Sequence, residues 1–125
     1  MGWQLDKDRP IYMQLVEELQ SRIVSGLYPP GSKVASVRDL AAEAAVNPNT
    51  MQRALAELEQ SGLLRAERTS GRFVTEDTEL IESVRKTLAR EKIQAFIRDL
   101  TVLGYDKKNM IALIHEVLEG EEKDG

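Results

Sequence analysis

The sequence predicts a mainly α-helical protein with one small β-hairpin, and three observations carry that prediction. Apolar residues recur at spacings of three and four along most of the chain. Short strand candidates occur in one place only, at Leu63–Glu67 and Arg72–Thr75, around the turn residues Arg68-Thr69-Ser70-Gly71. Capping residues, prolines and glycines stand where the helical periods start and stop.

The first helix is expected from about Pro10 to Ser25. Ile11, Tyr12, Leu15, Val16, Leu19, Ile23 and Val24 share one face, and Pro10 suits a first turn whose N–H groups have no partner. Gly26 and Pro29-Pro30-Gly31 stop it. A second helix, about Val37–Ala45, starts behind Ser36 as N-cap, with Asp39 placed as in a capping box and Val37, Leu40, Ala41 and Ala44 as its buried stripe. After a short break, Asn47 caps a third helix, about Pro48–Ser61, with Met51, Ala54, Leu55 and Leu58 inward and Gly62 at its end. In the hairpin, Leu64, Ala66 and Phe73 are expected to point inward. Three helices and then a hairpin is the order of a winged helix-turn-helix.

Beyond Thr78 the stripe Leu80, Ile81, Val84, Leu88, Ile93, Phe96, Ile97, Leu100 and Leu103 predicts a long helix, about 39 Å at 1.5 Å per residue. Asp106 caps a last helix with Met110, Ile111, Ile114, Val117 and Leu118 on its apolar face; Gly120 is expected to end it, leaving Glu121–Gly125 as a frayed tail. The expected division is a winged helix-turn-helix over 1–75 and a helical region over 76–125.

A chain of 125 residues suffices for one domain plus an appendage. It has no cysteine, so disulfides, thiolate metal sites and catalytic cysteine are excluded. His115, the single histidine, lies among Glu116 and Glu119, a pattern of a solvated helix surface more than of a metal site. Met13, Met51 and Met110 fall at packing positions, and Trp3 is placed to cover an apolar edge. No phosphate-binding glycine loop, nucleophile elbow or acid–base pair is present, so neither catalysis nor a cofactor is expected. No apolar run approaches the roughly 18 residues of a spanning helix, and Met1–Asp6 starts no signal peptide, so a cytoplasmic location is expected.

The net charge of −4 argues at first sight against a nucleic-acid partner. Its distribution removes that objection. Residues 1–75 hold nine basic and nine acidic side chains, and residues 76–125 hold eight and twelve. The winged helix-turn-helix segment is neutral, and the excess acid belongs to the tail.

Pro10-Ile11-Tyr12-Met13-Gln14-Leu15, Ser36-Val37-Arg38-Asp39-Leu40-Ala41, Asn49-Thr50-Met51-Gln52-Arg53-Ala54-Leu55 through Glu59, Gly62-Leu63 and Ser70-Gly71-Arg72-Phe73-Val74 follow one another in order. Together they resemble the GntR family of bacterial transcription regulators over roughly residues 8–75, and the short tail resembles the YtrA-like branch. Two departures stand out: Ala35 replaces a usual proline, and Thr69 replaces the first glycine of the wing. The resemblance implies a homodimeric repressor, often of a transporter operon, that binds a double-stranded, palindromic DNA operator.

On that reading Asn47, Asn49, Thr50, Gln52 and Arg53 open the recognition helix. Asn and Gln can pair with adenine, and Arg with guanine. Asn47 can equally be only a cap. Arg38 and Ser36 stand at the start of the second helix, at a family DNA-contact position, and Ser70, Gly71 and Arg72 form the wing. Arg65 and Arg68 rank lower as phosphate partners. Leu80, Val84, Leu88, Ile93, Phe96, Leu100, Ile114 and Val117 are the candidate dimerisation surface, with a groove for another protein's helix as the alternative. A winged-helix protein-interaction module that does not read DNA is the second functional reading. Relief of repression stays open between an unknown small-molecule effector and control by abundance.

Overall fold

The computed structural model describes residues 2–124. Its elements in order are α1 (Ile11–Val24), β1 (Lys33–Val34), α2 (Val37–Ala44), α3 (Pro48–Gln60), β2 (Leu64–Glu67), β3 (Gly71–Val74), α4 (Thr78–Val102) and α5 (Lys107–Asp124). The chain divides into two compact units, the first running to Lys86 and the second from Thr87.

In the first unit α1, α2 and α3 converge on a single core. Leu15, Leu19 and Ile23 of α1 meet Leu40, Ala41 and Ala44 of α2 and Met51, Ala54, Leu55 and Leu58 of α3, all buried. These are the apolar stripes that the helical spacing picks out, and each helix is too short to be stable without the others. Leu63, Leu64 and Val74 close the core from the sheet side, and Leu80, Ile81 and Val84 at the start of α4 pack against it.

Local chemistry sets the helix starts. The Ser36 hydroxyl accepts from the Asp39 N–H (3.1 Å), Asn47 Oδ1 from the Asn49 N–H (2.7 Å), Asp77 Oδ1 from Leu80 N–H (3.0 Å) and Asp106 Oδ1 from Asn109 N–H (2.9 Å). Each satisfies a donor that the helix itself leaves free. Pro10 occupies the N-cap position rather than the first helical turn.

The sheet has three strands in the order β1-β3-β2, all antiparallel, so the hairpin is joined by a third strand that alternation does not reveal. β1 is two residues long and pairs Lys33 with Phe73 and Val34 with Arg72. The register also corrects the expected faces. Leu64 lies opposite Val74, and both are buried, whereas Phe73 lies opposite Arg65 on the other face, where the Arg65 guanidinium sits 5.1 Å from its ring centre. Because side chains alternate along a strand, burying Val74 turns Phe73 outward and leaves Arg72 facing inward with Leu64 and Val74. Ala66 is exposed.

In the second unit the helix after Asp106 runs through Gly120 to Asp124, so Gly120 is not its end and the expected tail is helical as far as it is described; Gly125 lies outside the described residues. One glycine lowers helix stability by about 1 kcal/mol without forbidding the helix. The apolar residues of this unit stand largely in solvent: Ile93 is 56% exposed, Phe96 44%, Val117 53% and Leu118 54%.

Candidate nucleic-acid interface

The helix-turn-helix is built on the tight link between α2 and α3. Ala45 takes a left-handed conformation (φ 57°, ψ 48°), and its N–H, with that of Val46, closes the end of α2 on the Ala41 and Ala42 carbonyls. Asn47 then caps α3, and its backbone carbonyl accepts from the Thr50 and Met51 N–H groups (3.0 and 3.1 Å). The Asn47 side-chain oxygen is thus committed to the helix start. Asn49, Gln52 and Arg53 are exposed on α3, and Thr50 is half-buried beside the cap.

Two of these side chains are held in place. The Arg53 guanidinium lies over the Tyr12 ring, 3.6 Å from its centre, so α1 carries one face of it. Such a stack steadies a long side chain and leaves its in-plane N–H groups free to donate. The Gln52 amide oxygen accepts from Arg72 Nη2 (3.2 Å), while Arg72 Nε bonds to Glu59 on the next turns of α3. Arg72 is therefore tied to α3, with a side chain only 19% exposed.

Other candidates are placed differently. Arg38 is exposed and forms no ion pair among the described residues. Ser36 is an N-cap. Ser70 and Gly71 form the exposed wing tip, and Gly71 has φ 102°, which favours glycine. Arg65 pairs with Glu67, and Arg68 is exposed without an ion-pair partner among the described residues. Of the tail residues, Leu80 and Val84 are half-buried against the first unit's core, while Leu88, Ile93, Phe96, Leu100, Ile114 and Val117 are in or beside the second.

Three supporting groups escape sequence reasoning. Lys33, on β1, brings its Cε to 3.3 Å from where a Cβ on Gly71 would sit, adding an exposed cation beside the wing. Gln14 is buried on α1; its amide accepts from the Asp6 N–H (2.6 Å) and donates to the Asp6 and Arg9 carbonyls (2.7 and 3.0 Å), which latches the N-terminal arm. Arg22 is 4% exposed. It donates to Glu18 (2.9 Å) and Tyr28 (2.7 Å), stacks on Trp3 (4.3 Å to the ring centre) and lies 3.5 Å from Glu43, which also accepts from the Trp3 indole (3.2 Å).

Burial pulls the Arg22 pKa down, but the bonds to Glu18 and Tyr28 outweigh it and the net shift is upward, so this cation stays charged. The cluster joins the arm, α1 and α2 around one guanidinium. The helical period does place position 22 on the inward face, three residues after Leu19 and seven after Leu15, but an arginine reads as exposed there until its partners are known.

The family model described as "Bacterial regulatory proteins, gntR family" matches residues 11–74, which span α1 through β3. The chain belongs to the GntR family. GntR membership makes it a DNA-binding regulatory protein rather than an enzyme. It is 32% identical over 110 residues to the HTH-type transcriptional repressor YtrA of Bacillus subtilis (strain 168), covering 86% of this chain and 84% of that one. A solved GntR family transcriptional regulator from Listeria monocytogenes superposes with a TM-score of 0.84 at 38% identity, over 90% of this chain and 98% of that one. The DNA-binding domain of AraR in complex with operator ORE1 is similar over 60% of this chain and 94% of that one, with a TM-score of 0.52 and 28% identity. No helix among the described residues is long and apolar enough to cross a membrane.

Proposed function

We propose that this GntR protein is a repressor that binds a palindromic operator as a homodimer. The observation that carries the reading is the exposed polar row of α3, Asn49, Gln52 and Arg53, flanked by a wing with Lys33 and Arg68 in solvent. Such a row suits base edges in a major groove, while Arg38, Arg68 and Lys33 suit phosphates. The operator bound by the AraR domain and the repressor name of YtrA support the same assignment.

The tail supports the dimer. Ile93, Phe96, Val117 and Leu118 expose more large apolar surface than a lone helix pair keeps without cost in water. A second copy would cover that surface and set two recognition helices about 34 Å apart, one turn of duplex. A neutral reading domain gains little from bulk attraction, so two linked copies supply affinity that one lacks. Repression follows from occupying a site that RNA polymerase needs.

Selection of duplexes from a random pool tests this directly. The expected product is a two-fold symmetric site bound at least 1,000-fold more tightly than random DNA at matched salt, the lower end for specific regulators. Equal affinity for selected and random duplexes sinks the DNA reading and leaves the protein-interaction module. A monomer in sedimentation at micromolar concentration would remove the dimer alone.

A further inference from the structure

We infer that Arg72 is not a phosphate clamp but the positioning residue that orients Gln52, so that the recognition helix presents an amide donor to an acceptor on a base edge. The inference rests on the operator-binding reading above and specifies how one residue of that site works.

The geometry follows from the register of the sheet. Arg72 sits on β3 between Val74, fully buried, and the wing tip, and its side chain shares the inward face with Leu64 and Val74. From there it crosses to α3, where its Nε bonds to Glu59 and its Nη2 to the Gln52 Oε1 at 3.2 Å. The side chains it bonds to are two turns of α3 apart, so the planar fork spans the helix surface. With 19% of its side chain exposed and Glu59 at 30%, the ion pair is partly withdrawn from water and holds its charge locally. A guanidinium so neutralised has little left to give a phosphate.

Arginine has donors only, so the Gln52 atom that faces it must be the oxygen. That fixes an amide whose two ends are otherwise interchangeable. The NH2 end is left pointing away from Arg72, with both donors free. The base atoms it fits are acceptors of the major groove: guanine O6 and N7, thymine O4 or adenine N7. A lysine at position 72 would keep the charge but lacks the rigid fork that reaches Glu59 and Gln52 together.

The test measures affinities of the full-length protein for its selected duplex and for each single-base-pair variant, across a range of salt. Five proteins are compared: wild type, Arg72→Lys, Arg72→Ala, Glu59→Gln and Gln52→Glu. Thermal melting shows that each variant is folded, and Glu59→Gln serves if Arg72→Lys is not.

Arg72→Lys and Glu59→Gln are expected to flatten the preference at one base pair per half-site, where wild type discriminates roughly 5- to 150-fold. The other positions and the salt slope stay as in wild type. Gln52→Glu, whose outward atom becomes an acceptor, is expected to exchange that preference for a base bearing a donor, cytosine N4 or adenine N6.

A phosphate role gives the opposite pattern. Arg72→Lys would keep full discrimination, and Arg72→Ala would weaken binding evenly across sequences and lower the salt slope by about 0.9 for each copy. Either result overturns the inference while operator binding stands. A wild-type protein that prefers no duplex overturns both.

Discussion

Ala45 is the one residue other than glycine, among those described, with a positive φ, and the substitution Ala45→Gly turns that strain into a measurement. At φ 57° and ψ 48° an L-residue meets its own carbonyl, at a cost of about 1–2 kcal/mol. The Ala45 side chain is exposed, so removing its methyl group forfeits no burial. Glycine frees the unfolded chain and gives back about 0.5–1 kcal/mol of the gain. Taking the middle of each range, the net expectation is a stabilisation of about 0.75 kcal/mol.

The first unit runs to Lys86, in the size range where 1 kcal/mol moves the melting temperature by about 4–8 °C. Ala45→Gly should therefore melt about 3–6 °C higher. The assay is thermal unfolding followed by circular dichroism, at one fixed protein concentration because a dimer's melting depends on it. The hydrogen bonds that close α2 use only backbone groups, so operator affinity should change less than twofold. An unchanged or lower melting temperature would refute the reasoning, because the left-handed residue would then store no strain.

Gln14→Leu keeps the volume of the buried side chain but removes three hydrogen bonds to the N-terminal arm. At about 0.5–1.5 kcal/mol each the loss should be about 1.5–4.5 kcal/mol in urea unfolding, with the Asp6 amide exchanging hydrogen faster. Asn47→Ala should lower stability by about 1 kcal/mol through the lost cap on α3, read from the same urea curves, whether or not Asn47 also meets DNA. Phe96→Glu, at a position 44% exposed in the single chain, should leave the melting of the first unit within 0.5 kcal/mol and shift sedimentation toward the monomer. A dimer that survives Phe96→Glu and Ile93→Glu together would place the interface elsewhere.

The parts legible in the sequence are those whose causes lie within a few residues. Ser36, Asn47 and Asp106 cap helices because a side-chain oxygen finds an N–H two or three residues on, and the stripes of α1, α2 and α3 are the faces that the core buries. Family motifs over the same span single out α3 as the candidate recognition helix, and Asn49, Gln52 and Arg53 are exposed on it.

What the sequence hides is what depends on a partner far along the chain. β1 is two residues long and exists because β3, about forty positions later, offers Arg72 and Phe73 to pair with. The same register decides that Val74 is inside and Phe73 outside, and a one-residue slip would reverse both. Gly120 reads as a stop, yet a helix with favourable neighbours on both sides carries one glycine through.

By itself, then, the sequence determined the helices, their caps and the separation of charge between a neutral domain and an acidic tail, since propensity, capping and composition act locally. Only the tertiary structure decided what its arginines do. Arg22 is enclosed by Trp3, Glu18 and Tyr28, Arg53 rests on Tyr12, and Arg72 turns from the wing toward Glu59 and Gln52. A guanidinium's long side chain can reach several partners, and which of them it meets is fixed by how distant segments pack.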